Sequence, residues 1–178
     1  MTYILQFDGL FQRLPLEEKG YCGIMCYGWL ILNDGREVRT GHGGYAHWKL
    51  ATSNGAEYLA LISGLQSLVD MGLCAENLII QGDSKTTIEQ MQKQALTHSP
   101  RLQQFHRQAR RLCRQFNSIE WQWMPRQQNH PADRLTKQAL QQIRAHQPVY
   151  FSPDIMQFIS PEERKGLLPI LDCSFSSL

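Results

Sequence analysis

The sequence predicts one α/β domain on a mixed five-stranded sheet, three antiparallel strands followed by two parallel ones, flanked by helices. Three observations carry this reading. Residues 2–45 hold three β-rich runs, and Asn33-Asp34-Gly35 lies between the second and third, where Asp-Gly tolerates the positive φ of a tight hairpin. From Ser53 onward the apolar spacing changes from that of a strand to that of a helix. The remaining segments then alternate strand-like and helical runs, as crossover connections between parallel strands require. With 178 residues the chain has room for one well-buried domain.

The elements follow in order. Residues 2–8 (TYILQFD) form a strand predicted to end at Asp8-Gly9, and residues 21–32 and 36–45 form the next two. Tyr58, Leu61, Ile62, Leu65, Leu68 and Val69 share one face of a helix ending near Gly72, and Glu57 stands one turn before Leu61 on that face. Leu78-Ile79-Ile80, bounded by Gly82-Asp83, reads as a strand buried on both sides. A helix over Ser84–Ala95 would bury Ile88, Met91 and Ala95. The next, opened by Pro100, would turn Leu102, Phe105, Ala109, Leu112 and Phe116 inward. Ile119, Trp121 and Trp123 alternate with polar neighbours as a fifth strand, and a last helix spans about Pro131–Ala145. The domain is therefore placed at residues 1–145. Residues 146–178, broken by Pro148, Pro153, Pro161 and Pro169, are expected to be a tail that packs on the domain or docks a partner.

Composition narrows the class. The chain is 42% hydrophobic and 19% charged, with no apolar run long enough for a membrane span. MTYILQFDGL lacks the basic flank and cleavage site of a signal peptide, so a cytoplasmic protein is expected. Five cysteines (Cys22, Cys26, Cys74, Cys113, Cys173) without a CxxC pair read as free thiols, and no structural zinc is expected. The net charge is only +2, but Arg101, Arg107, Arg110, Arg111 and Arg114 cluster in one stretch, which can guide a polyanion or form a solvated helix face.

Four acids stand out by position. Each has a plainer structural explanation: Asp8 at a turn, Glu57 closing a capping box with Asn54, Asp83 as a helix cap, Asp133 in the first turn of a helix. Topology weakens those explanations. The first and fourth strands would run parallel near the sheet centre, placing Asp8 and Asp83 at the strand ends where α/β sheets bind ligands. Glu57 and Asp133 begin helices that could pack toward the same edge. Clustered carboxylates repel unless cations lie between them, and an all-oxygen set selects hard ions such as Mg²⁺ or Mn²⁺.

FDG at 7–9, TSNGAEYLALISGL at 52–65, GDSK at 82–85 and MPRQQNHPADRLTKQAL at 124–140 resemble type 1 ribonuclease H, in its compact bacterial, archaeal and plant-like branch. The resemblance covers residues 2–145. It implies an endonuclease that cuts the RNA strand of RNA–DNA hybrids with two metal ions, leaving 5′-phosphate and 3′-hydroxyl ends. Asp8 would bridge the ions, Asp133 would complete one site, and Glu57 and Asp83 the other. It implies further that Asn54 reads the minor groove, Thr52 grips a phosphate, and the Gly9 backbone approaches a ribose 2′-OH. Ser84 and His130 are the remaining candidates for substrate contact. Pro125-Arg126, seven residues before Asp133, matches the branch that uses an arginine beside the metals, so Arg126 is favoured over His130 as the auxiliary group. The chain departs from the family in Leu10–Lys19, which is longer than the usual turn, and neither a separate basic protrusion nor an N-terminal hybrid-binding domain is expected. A monomer without a small-molecule cofactor is expected. The competing readings are a nuclease of the same fold acting on DNA, such as a junction resolvase, and a silent hybrid-binding module.

Overall fold

A computed structural model describes residues 1–14, 22–47, 51–93, 95 and 99–145. The tail 146–178, which includes Cys173, and the second half of the Leu10–Lys19 segment lie outside the described residues. The elements run β1 (Thr2–Leu14), β2 (Cys22–Asn33), β3 (Arg36–His47), α1 (Ser53–Asp70), β4 (Asn77–Gly82), α2 (Lys85–Met91), α3 (Pro100–Cys113), β5 (Ser118–Trp123) and α4 (His130–Arg144). The sheet order is β3-β2-β1-β4-β5. β1, β2 and β3 pair antiparallel, and β4 pairs parallel with both β1 and β5. This is the predicted mixed sheet. Asp34 and Gly35, at φ 49° and 72°, make the predicted β2–β3 hairpin.

Strand alternation sends β2 into both layers. Met25, Tyr27, Trp29 and Ile31 join Leu5 and Phe7 of β1 in the larger core beneath α1, whereas Ile24 and Cys26 pack with Ala139 of α4. The α1 helix is buried on more than its predicted stripe, with Leu59 and Ala60 enclosed as fully as Leu61, because α3 covers the flank turned from the sheet. Two buried polar groups on α1 are paired: Ser63 accepts from the Trp29 indole at 2.9 Å, and the Tyr58 hydroxyl donates to Gln90 at 2.7 Å. On the other face α4 lies close upon β2. A Cβ on Gly28 would stand 2.6 Å from Leu135 Cβ and 2.7 Å from the Ala132 carbonyl, so the glycine sets the depth at which α4 docks.

Three boundaries differ from expectation. β1 does not end at Asp8-Gly9 but continues to Leu14, because its antiparallel pairing with β2 persists after its parallel pairing with β4 has stopped. α2 stops at Met91 rather than Ala95, since Lys93 takes a left-handed φ of 65° that ends the helix. α3 ends at Cys113, and Phe116 reaches the core from the following turn.

Candidate metal centre

Asp8 and Asp83 arrive side by side from adjacent strands. The last parallel pair of β1 and β4 is Phe7 opposite Gly82, so the next residue of each segment is an acid. Glu57 comes from the first turns of α1, which crosses β1 at Gly9. A Cβ there would sit 2.2 Å from the Glu57 amide nitrogen, so only glycine lets the helix approach so near, and the Gly9 N–H donates to the Glu57 carboxylate. One oxygen each of Asp8, Glu57 and Asp83 lie within 4.8 Å of one another.

Asp133 arrives from α4 on the opposite side and faces differently. Its Oδ1 accepts from Arg126 at 3.3 Å and its Oδ2 from Lys137 at 2.5 Å. The close trio therefore excludes it, although Asp8 feels its charge. Thr136, one turn along α4, donates to Asp8 Oδ2 at 3.2 Å and ties that helix to β1.

The electrostatics separate the acids. Burial, then the charges of Asp83 and Asp133, push Asp8 up to about 7, against the lowering effects of Thr136 and Arg126. Burial also raises Glu57 well above the carboxylate range, followed by repulsion from Asp8 and Asp83. For Asp133 burial again raises the pKa, but Lys137 and then Arg126 more than offset it and hold it below its ordinary value.

These residues fit a divalent cation. Glu57 Oε2 is buried with no hydrogen-bond partner, an expensive state for a carboxylate oxygen unless a positive charge meets it. The trio offers oxygen ligands alone, which suit a hard ion. Among the described cysteines Cys26, Cys74 and Cys113 are free and none joins the acidic group, and burial pushes the Cys26 and Cys113 thiols up to about 12.

The other predicted residues surround this centre unevenly. Thr52, not Asn54, caps α1, accepting from the Gly55 N–H at 3.0 Å, so Glu57 closes no capping box. Ser84, not Asp83, caps α2, which leaves the Asp83 side chain available to the site. Asn54 is half-buried near the start of α1. Arg126, in a single 3-10 turn before α4, touches the site through Asp133, whereas His130 is exposed and hydrogen-bonds to no carboxylate among the described residues. Three contributors went unpredicted: Asn129, Thr136 and Lys137. Lys137 was discoverable, since it stands four residues after Asp133 on a helix. Asn129 was not, because before a helix it resembles a cap, and its side chain does no capping.

Fold and site together define a ribonuclease H-like domain with an acidic cluster fit to hold a metal ion. The reverse transcriptase-like family model matches residues 23–139. The crystal structure of RNase H1 from the archaeon Halobacterium salinarum superposes with a TM-score of 0.67 at 30% identity, covering 79% of this chain and 98% of that one. The N-terminal RNase H domain of Rv2228c from Mycobacterium tuberculosis gives 0.65 at 29%, covering 79% and 94%. In sequence the chain is 40% identical over 90 residues to the bifunctional protein Rv2228c, covering 51% of this chain. It is 32% identical over 135 residues to ribonuclease HI of Halobacterium salinarum, covering 75%. The chain spans 24% of the length of the first of these relatives and 62% of the second. The chain belongs to the reverse transcriptase-like family and, within it, to type 1 ribonuclease H.

Proposed function

We propose that the chain is an endoribonuclease that hydrolyses the RNA strand of RNA–DNA hybrids, leaving 5′-phosphate and 3′-hydroxyl ends. The observation that carries this reading is the convergence of Asp8, Glu57 and Asp83 in a chain of this family. Mg²⁺ is the proposed ion, with Mn²⁺ as a substitute. Asp8 would be shared between two ions, Glu57 and Asp83 holding one and Asp133 the other. Bound there, divalent ions supply Lewis-acid stabilisation to the entering and leaving oxygens of an in-line displacement.

The chain's own groups do the rest. Water is the nucleophile, since no side chain in the site is suited to attack. Arg126 stays charged at every working pH, so it acts electrostatically, drawing the substrate phosphate toward the acids and easing product away. Thr52 and Asn54 at the start of α1 contact the hybrid, as do Gly9 and Ser84 beside the acids, with His130 at the margin. The 2′-OH sensed near Gly9 restricts cutting to RNA. The protein is proposed to work as a cytoplasmic monomer without a small-molecule cofactor, and no helix among the described residues is long and apolar enough to cross a membrane.

A panel of end-labelled substrates tests this reading: an RNA–DNA hybrid, duplex RNA, duplex DNA and a DNA four-way junction, each with Mg²⁺. Cleavage confined to the RNA of the hybrid is expected. Equal cutting of the DNA duplex or junction would replace the reading with a resolvase, and binding without cutting would leave a silent hybrid-binding module.

A further inference from the structure

Asn129 is fully buried and polar, and it stands where three parts of the acidic centre meet. Its side-chain amide donates to the Phe7 carbonyl at 2.9 Å and to Asp83 Oδ1 at 3.0 Å. Its backbone carbonyl accepts from the Asp133 N–H at 3.0 Å, and its N–H donates to the Arg126 carbonyl at 3.0 Å. One residue thus touches the peptide unit before Asp8, the side chain of Asp83 and the backbones of Asp133 and Arg126. The amide orientation is dictated, because turning it over would aim Oδ1 at a carbonyl and a carboxylate. In this orientation Oδ1 is buried without a hydrogen-bond partner. Leaving that oxygen unsatisfied costs stability, so a residue chosen for packing alone would not be an asparagine.

We infer that Asn129 is a positioning residue: its amide locks Asp83 to β1 and to the start of α4, so that acids from separate elements present one ligand set. The inference rests on the metal-dependent reading above. Asp83 follows the last β4 pair and lies outside the regular elements, so its backbone alone does not fix the direction of its carboxylate. The bond to Asn129 does, leaving the other oxygen to the ion. Partners that orient a metal ligand typically change metal affinity by about 10- to 100-fold when removed.

The test measures Mn²⁺ binding by calorimetry on the full chain without nucleic acid, so that it stands even if the chain cuts no hybrid. Asn129→Ala is expected to weaken Mn²⁺ binding about tenfold or more. At limiting metal it should lower kcat while leaving KM for the hybrid within about twofold, and added metal should restore part of the loss. The effect must also run through Asp83: in an Asp83→Ala background, Asn129→Ala should change Mn²⁺ affinity little. If Asn129→Ala fails to fold, Asn129→Leu, which is close in shape and has no donor, is measured in its place. Unchanged Mn²⁺ affinity, or an equal loss in both backgrounds, would show that Asn129 merely holds the fold and would overturn the inference.

Discussion

Asp8 and Asp133 are almost equally buried, at 4% and 6% exposure, and face the same end of the sheet, yet their surroundings oppose each other. Asp8 sits beside two further acids and is pushed up to about 7. Asp133 sits between Arg126 and Lys137 and is held below its ordinary value. One half of the centre therefore contains anions in need of a cation, while the other already carries cations of its own. Those cations are largely exposed, at 71% for Arg126 and 59% for Lys137, so water screens them and little holds them in place. On the proposed reading the trio is the stronger site, and an ion at Asp133 competes with Lys137 for its carboxylate.

The largest effect should come from discharging the trio. Asp8→Asn or Asp83→Asn keeps the shape and removes a charged ligand, so hybrid cleavage should fall about a hundredfold or more while hybrid binding, measured by fluorescence anisotropy, largely survives. A fully active Asp8→Asn protein would dissolve the contrast. Next comes the arginine on the other side. Arg126→Ala should lower turnover about tenfold, whereas His130→Ala should change it by less than about threefold. The reverse ranking would assign the auxiliary role to His130.

A smaller change sharpens the comparison from the Asp133 side. Lys137→Ala should lower by a few-fold the Mg²⁺ concentration needed for half-maximal cleavage, because Asp133 loses a competing cation. An increase would mean that Lys137 serves the reaction. The smallest effect is on stability. Asp8 and Glu57 bind protons more tightly folded than unfolded, so for Asp8 the native state holds the extra proton between the unfolded value and about 7, and Glu57, also raised, acts in the same direction. That contribution is present at low pH and is lost as pH rises through the folded value. The metal-free protein should thus melt several degrees higher near pH 5 than near pH 8, and Asp8→Asn should reduce the difference. Added Mg²⁺ should raise Tm most at pH 8.

The sheet and its order of elements were legible because their signals are local: the Asn-Asp-Gly turn, the switch in apolar period at Ser53, and the short run Leu78–Ile80. Asp8 and Asp83 were legible because topology puts the ends of parallel strands together. The end of β1 was misread because Asp8-Gly9 resembles a turn, whereas Gly9 is needed for the close passage of α1 and the strand runs on beside β2. The sequence left the caps open, since Thr52 and Asn54, or Asp83 and Ser84, offer equivalent acceptors until the backbone chooses Thr52 and Ser84. Asn129 and Thr136 were invisible for a different reason. Their partners, Phe7, Asp83 and Asp8, lie 46 to 128 positions away, and no local pattern encodes such a contact.

The central claim is that the buried trio is a cation site whose ion replaces a proton. Calorimetric titration of the metal-free protein with Mn²⁺ near pH 6.5, repeated in buffers of different ionisation enthalpy, counts the protons released on binding. The account predicts binding accompanied by proton release, with both the affinity and the released proton diminished in Asp8→Asn. Binding that releases no proton and is unaffected by Asp8→Asn would contradict it.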